Sequence, residues 1–222
     1  MQEQIKIQAL YDLENTLAKP LLQRYTYPWE ALSQIGEFIK ELGKTLSQDE
    51  YEQKADDIWI AKSATIYSNC DITGPCIIGK NTQIRPNAFI RGNVFVGDYC
   101  VVGNSTELKN VILFDYVQVP HYNYVGDSIL GYRSHMGAGS ITSNVKADKT
   151  PVSVKGEEIE INTGLKKFGA MLGDFVEIGC NAVLNPGTIV GKHTNVYPLS
   201  MVRGVIPPNS IYKGKDEVVK KE

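Results

Sequence analysis

Residues 60–108 read IAKSATIYSNCDITGPCIIGKNTQIRPNAFIRGNVFVGDYCVVGNSTEL, and an aliphatic residue falls at every sixth position: Ile60, Ile66, Ile72, Ile78, Ile84, Ile90, Val96, Val102 and Leu108. A helix needs a spacing near 3.6 and a strand a spacing of 2. Six is a multiple of 2 and not of 3.6, so the pattern fits short strands separated by turns. Gly79, Gly97 and Gly103 each follow one of these aliphatics, and the fifth position of the hexad is small at Ala64, Cys70, Cys76, Thr82, Ala88, Cys100 and Thr106.

A bulky residue facing an interior and a small residue inside each tight corner describe a hexapeptide-repeat β-helix, in which three hexads close one triangular coil. The repeat continues as Leu113, Val119, Val125, Leu130 and Met136, with five-residue steps from Leu108 to Leu113 and from Val125 to Leu130. The phase is then lost and resumes as Leu172, Ile178, Leu184, Val190, Val196 and Val202. The expected fold is therefore all-β.

Residues 1–57 differ in kind. Trp29, Leu32, Ile35, Phe38, Ile39, Leu42 and Leu46 follow helical spacing behind Pro28, a residue suited to a helix start. This segment is expected to be a helical cap that shields the first coil, since a coiled sheet leaves its end strands open. The β-helix is expected over 58–214 with an insertion at 145–170, where VSVKGEEIEI reads as a hairpin turning at Lys155 to Glu158. Residues 215–222 are expected to be a frayed tail.

The chain has 222 residues, enough for one substantial core, and a net charge of −2 that points to neither nucleic acid nor an acidic membrane as partner. No apolar run is long enough for a membrane span, and the start MQEQIKIQ lacks a signal peptide's apolar stretch, so a cytoplasmic protein is expected. Of four cysteines, Cys70, Cys76 and Cys100 occupy the small corner position, which favours buried, reduced thiols over disulfides or metal ligands.

Departures from the hexad rule are where chemistry is expected. VPHYNYVGD follows the first short step and carries His121 and Tyr124; one imidazole suffices for a general base, whereas His121, His135 and His193 lack the spacing of a three-histidine zinc site. MGAGSITSN, ending in Asn144, combines small residues that let a ligand approach the backbone with an amide that both donates and accepts. Arg85 in IRPN and Lys109 in ELKN face outward and suit an anion, although singly each also reads as a solvated charge.

Together, IRPN, GNSTELKN, VPHYNYVGD, GAGSITSN and IGCNAVLNPG occur in the order found in the acetyltransferase half of bifunctional glucosamine-1-phosphate acetyltransferase/uridylyltransferases, which the chain resembles over roughly 60–212. The insertion KGEEIEINTGLKKFGAMLGD resembles the archaeal-type sugar-1-phosphate nucleotidylyltransferase/acetyltransferases, and the nucleotidyltransferase domain has no counterpart in the short N-terminal segment. The resemblance implies a left-handed β-helix, a homotrimer with sites between subunits, and transfer of an acetyl group from acetyl-CoA to an amino-sugar phosphate without a metal. It implies that His121 is the general base, that Arg85 and Lys109 hold the phosphate, and that Tyr124 and Asn144 position the amino sugar. Lys167, or its neighbour Lys166, matches a further basic contact. Ala138, Gly139, Cys180 and Pro198 match positions along the cofactor, Cys180 standing where bacterial enzymes carry Ser. Alternatives left open are an inactive scaffold for a separate nucleotidyltransferase, an acyltransferase acting on another (nucleotide) sugar, and a carbonic-anhydrase-like zinc enzyme.

Overall fold

The hexads become strands, and the strands stack. A computed structural model describes residues 2–157, 159–215 and 217–221, and its repeats wind into a parallel β-helix with three faces. The first face carries Ile58–Ala61, Cys76–Ile78 and Val94–Val96, and higher up Ala170–Leu172, Thr188–Val190 and Val205–Ile206. The second runs from Thr65–Ile66 through Gln83–Ile84, Val101–Asn104, Gln118–His121, His135–Met136, Glu177–Ile178 and Asn195–Val196 to Ser210–Gly214. The third carries Asp71–Thr73, Phe89–Arg91, Ile141–Thr142, Val183–Leu184 and Met201–Val202. The aliphatics of the repeat stack inside, where Ile78, Ile84, Ile90, Val96, Val102 and Leu108 are all fully buried. Where the phase is lost after Met136, Thr142 takes the interior position, its hydroxyl accepting from the Gly126 amide at 2.9 Å. Small residues bridge coils at the corners: the Thr82 hydroxyl donates to the Gly97 carbonyl at 2.8 Å and accepts from the Cys100 amide at 2.9 Å. Cys76 and Cys100 are buried as expected, whereas Cys70, in the first coil, is only half-buried, and burial pushes the Cys76 thiol up to about 12.

The two short steps have a specific consequence. Removing one residue from a corner fuses the third-face strand with the next first-face strand, giving two bent seven-residue strands, Glu107–Leu113 and Tyr124–Leu130. Each bends at a residue in the left-handed region, Asn110 at φ 55 and Asp127 at φ 48, residue types that tolerate it best. Their first halves pair with the third face and their second halves with the first face.

The N-terminal segment forms short helices, a 3₁₀ stretch Pro28–Gln34 leading into the helix Ile35–Gly43. It covers the first coil in part: Tyr51–Ala55 pairs with that coil's first strand and Gly43 packs against Trp59, while interior Ile66 is 37% exposed. Most of the segment lies lengthwise along the outside of the first face. That face turns Trp59, Ile77, Phe95, Ile112, Ile129, Met171 and Ile189 outward, and all are buried. Helix Ile35–Gly43 packs on the strands of Cys76–Ile78, Val94–Val96 and Glu107–Leu113, the Tyr11 ring lies tilted against Phe114 with centroids 5.0 Å apart, and buried Asp174 accepts the Asp12 amide at 2.7 Å. The reason is chemical, since a row of outward apolar residues needs more cover than one open end does. Before the first coil, Tyr51–Ala55 pairs antiparallel with Ile58–Ala61.

Of the tail expected to fray, Glu217–Lys220 is a strand, and Asp216 and Glu222 lie outside the described residues. Glu217–Lys220 folds back antiparallel on Ser210–Gly214, and Lys221 donates to the Asn195 side chain at 2.7 Å. In the insertion, Ser153–Lys155 pairs antiparallel with Glu160–Asn162, and the Gly156 amide donates to the Ile159 carbonyl at 2.8 Å; Glu158, part of the expected turn, lies outside the described residues. The insertion leaves and returns at one corner, the Phe168 amide donating to the Asn144 carbonyl at 2.9 Å.

Candidate functional site

Three of the expected residues converge on the third face. Lys109 and Tyr124 stand in the two bent strands, and Asn144 follows Ile141–Thr142 one coil above. The Asn144 amide donates to the Tyr124 hydroxyl at 3.2 Å and to the Asp127 carboxylate at 2.6 Å. Lys109 reaches the other Asp127 oxygen at 3.3 Å, and Asn110 donates to that same oxygen at 2.9 Å. Burial, with the Asp127 charge adding, raises the Tyr124 pKa, so the phenol stays protonated. Having accepted from Asn144, its hydroxyl keeps its own proton to donate. Gly126 makes room for this arrangement, because a Cβ there would lie 2.6 Å from the Tyr124 hydroxyl and 3.0 Å from the Asn144 amide. The cluster therefore offers an ammonium, a phenol and a carboxamide side by side.

His121 and the positions expected along the cofactor form a column around the adjacent corner. His121 ends the strand Gln118–His121, above Asn104 of the coil below. Successive amides repeat the stack upward: Gly139 donates to the His121 carbonyl at 3.0 Å, Asn181 to Ala138 at 2.8 Å and Leu199 to Cys180 at 2.9 Å. His121, Ala138, Cys180 and Pro198 thus lie one above another, with His121, Cys180 and Pro198 exposed. The imidazole projects into solvent three residues from Tyr124. The Gly137, Gly139 and Ser140 amides are all engaged by carbonyls, whereas Ala138 has no intercoil acceptor among the described residues. Of the glycine-rich corner, Ala138 is the position whose amide remains open to a ligand.

Arg85 is not brought into the cluster. It lies on the second face below Gly103 and Pro120, and its guanidinium donates to Gln83 at 3.5 Å. Lys166 and Lys167 are exposed at the base of the insertion, next to Phe168. A cleft of about 530 Å³ opens between the insertion and the coil, lined among others by Ser143, Lys146, Lys155, Asn185 and Arg203 but by neither Lys166 nor Lys167. The histidines are dispersed: His135 contacts Glu177 at 2.8 Å and His193 stacks on Phe175 at 4.7 Å. Among the described residues no group of three or more His, Cys, Asp or Glu is placed to hold a metal ion, and no helix is long and apolar enough to cross a membrane.

Two residues of VPHYNYVGD escaped the sequence reading. Asn123, 2% exposed, accepts from the His121 amide at 3.1 Å and donates to the Gly137 and Ser140 carbonyls at 2.9 and 3.1 Å, tying the histidine's strand to the glycine-rich corner. Asp127, 3% exposed, is the hub of the cluster. The signal for Asp127 was present: both short steps put a polar residue, Asn110 or Asp127, between the aliphatics where the corner is cut.

The family model described as the GMPPB C-terminal domain matches residues 72–171. The chain is 34% identical over 215 residues to the Bifunctional protein GlmU of Methanococcus vannielii, covering 88% of this chain and 47% of that protein. It is 31% identical over 166 residues to the Bifunctional sugar-1-phosphate nucleotidylyltransferase/acetyltransferase of Sulfurisphaera tokodaii, covering 67% of this chain and 41% of that protein. The chain thus spans about half the length of the curated relatives it matches. Among solved structures, AntD, an N-acyltransferase from Bacillus cereus in complex with dTDP and 3-hydroxybutyryl-CoA, aligns at 18% identity with a TM-score of 0.40, covering 82% of this chain and 88% of that chain.

Proposed function

We propose that the chain, a relative of the GlmU and sugar-1-phosphate nucleotidylyltransferase/acetyltransferase proteins over most of its length, transfers an acetyl group from acetyl-CoA to the amine of an amino-sugar phosphate such as glucosamine 1-phosphate. What supports this reading is the polar cluster of Lys109, Tyr124 and Asn144, with His121 three residues before Tyr124 in the chain and at the foot of the column of Ala138, Cys180 and Pro198. The cluster suits a polyhydroxylated anion, and the smooth column suits a thioester arm.

Lys109 attracts the acceptor's phosphate, while the Tyr124 hydroxyl and Asn144 carboxamide bind its ring hydroxyls. This fixes the 2-amino group beside the thioester carbon, an orientation effect. The nitrogen attacks that carbon, a C–N bond forms, and His121 removes the amine's proton as the charge develops. The open Ala138 amide donates to the carbonyl oxygen. The C–S bond then breaks, and the proton returns from His121 to the departing sulfur.

A second copy of the chain completes the acceptor site in this reading. Arg85 stands on a different face from Lys109, so one protomer presents two cations on two walls. The edge between those walls is apolar and open, with Tyr122, Leu199 and Met201 62, 80 and 56% exposed. A homotrimer would bury that edge and face Arg85 or Lys167 toward a neighbour's cluster.

The test is thiol release from acetyl-CoA in the presence of glucosamine 1-phosphate, wild type beside His121→Ala. The variant should keep its oligomeric state and lose roughly 10²–10⁴-fold in kcat. Undiminished turnover removes His121 from the mechanism. Failure of the wild type to bind coenzyme A leaves the scaffold reading instead.

A further inference from the structure

Asp127 is a carboxylate almost removed from water, which a fold tolerates only when the charge is compensated. Its compensation comes from the candidate site itself. Lys109 and Asn110 reach one oxygen from the coil below at 3.3 and 2.9 Å, and Asn144 reaches the other from the coil above at 2.6 Å. Tyr124, in the same strand as Asp127, is joined through Asn144 at 3.2 Å. One buried carboxylate therefore sets the relative positions of groups on three successive coils. It also decides which way round Asn144 sits, since a carboxamide against a carboxylate must present its NH₂. The carbonyl oxygen of Asn144 is left as an acceptor for a ligand's hydroxyl or amine. The backbone supports the same placement: Gly169, where the insertion rejoins the coil, donates its amide to the Asp127 carbonyl at 2.8 Å.

We propose that Asp127 is the positioning residue of the acceptor site, holding the Lys109 ammonium and the Asn144 carboxamide in the geometry that receives an amino-sugar phosphate. The proposal rests on the acyl-transfer reading of the same site. Asp127 touches neither substrate in this scheme and acts through its two partners. Its position depends on the one-residue-shorter corner, which turns the side chain at φ 48 inward between coils.

Asp127→Asn is the informative variant, because asparagine is nearly isosteric and accepts the left-handed conformation as readily. It removes the charge and cannot offer two acceptor oxygens. The expected result is an intact fold and oligomer by circular dichroism and light scattering, unchanged coenzyme A affinity, and acceptor kcat/KM lowered roughly ten- to a hundred-fold, as for a lost hydrogen-bonded charge. Acetylation of Lys109 by N-acetoxysuccinimide, read by mass spectrometry, should be faster in the variant, because its ammonium is released. Acceptor kinetics and Lys109 labelling both equal to wild type would overturn the proposal. So would coenzyme A affinity falling in step with acceptor kinetics, since that pattern reports general support of the groove. If the wild type acetylates no amino-sugar phosphate, the acyl-transfer reading fails, and the labelling result alone upholds or overturns the hold of Asp127 on Lys109.

Discussion

Gly126 shows how little room a single residue leaves at this site. It lies in the bent strand directly beneath the pair of Tyr124 and Asn144, where a methyl group would lie 2.6 and 3.0 Å from their polar atoms. Its backbone does not occupy the left-handed region, so alanine is conformationally acceptable and the penalty is one of space. Gly126→Ala should therefore fold and bind coenzyme A normally while displacing the phenol and carboxamide, with acceptor kcat/KM reduced roughly tenfold or more. Steady-state kinetics against both substrates check this. A loss confined to the coenzyme A side would mean that the cluster does not face the acceptor. Lys109, His121, Tyr124 and Asn144 stand out as polar departures from the hexad rule, but singly each also reads as a solvated or groove-lining residue, and only the order of their motifs points to a site. Asp127 and Asn123 were harder to see, since a short polar residue at a corner is also what a turn requires. Only the burial of both residues and the hydrogen bonds they make set them apart.

At the scale of the element, the corners carry ladders that repeat once per coil. In one, Asp98 accepts the Lys80 amide at 2.7 Å and Asp115 accepts the Asp98 amide at 2.8 Å. Higher up, Asp174 accepts the Tyr132 amide at 2.9 Å and pairs with Lys192 at 2.9 Å. Among the described residues no cation pairs with Asp115, and burial, with Asp98 beside it, raises its pKa to about 6. A carboxyl held above its ordinary value binds a proton more tightly in the folded chain. Its contribution to stability is thus complete below about pH 3.8 and is lost as pH rises through about 6. Asp115→Asn keeps an oxygen for the Asp98 amide and never ionises, so its gain in Tm over wild type should be larger at pH 8 than at pH 5. Calorimetry at the two pH values decides; equal gains would mean that the Asp115 charge costs the fold nothing. The next corner position carries Tyr99, Tyr116, Phe175 and His193, all at positive φ. Left-handed backbone costs such residues about 1–2 kcal/mol each. The rings offset part of this by stacking, Tyr99 on Tyr116 at 4.8 Å and Phe175 on His193 at 4.7 Å. Each stack joins rings of different coils, so it works between coils.

The whole molecule is a β-helix with its N-terminal segment laid along one side. Trp29 joins the parts: it is 3% exposed, stacks on Tyr27 at 4.6 Å and lies 5.8 Å from Phe168 at the base of the insertion. Trp29→Ala should cost about 3–5 kcal/mol, measured as a lower urea midpoint. An unchanged midpoint would show that the segment is not part of the cooperative unit. The strand repeat, the interior residues and the position of the two cut corners followed from the order of residues, because a side chain's face in a strand depends only on its local spacing. The run of the N-terminal segment did not. Its cause is a second apolar row, Trp59, Ile77, Phe95, Ile112, Ile129, Met171 and Ile189, one residue ahead of the interior row and met only once per coil. Residues that far apart in the chain become one surface only when the coils stack, and that surface then buries the helices. The ordered tail and the Asp127 hub have the same origin, for each depends on partners from other coils that the chain brings together only in three dimensions.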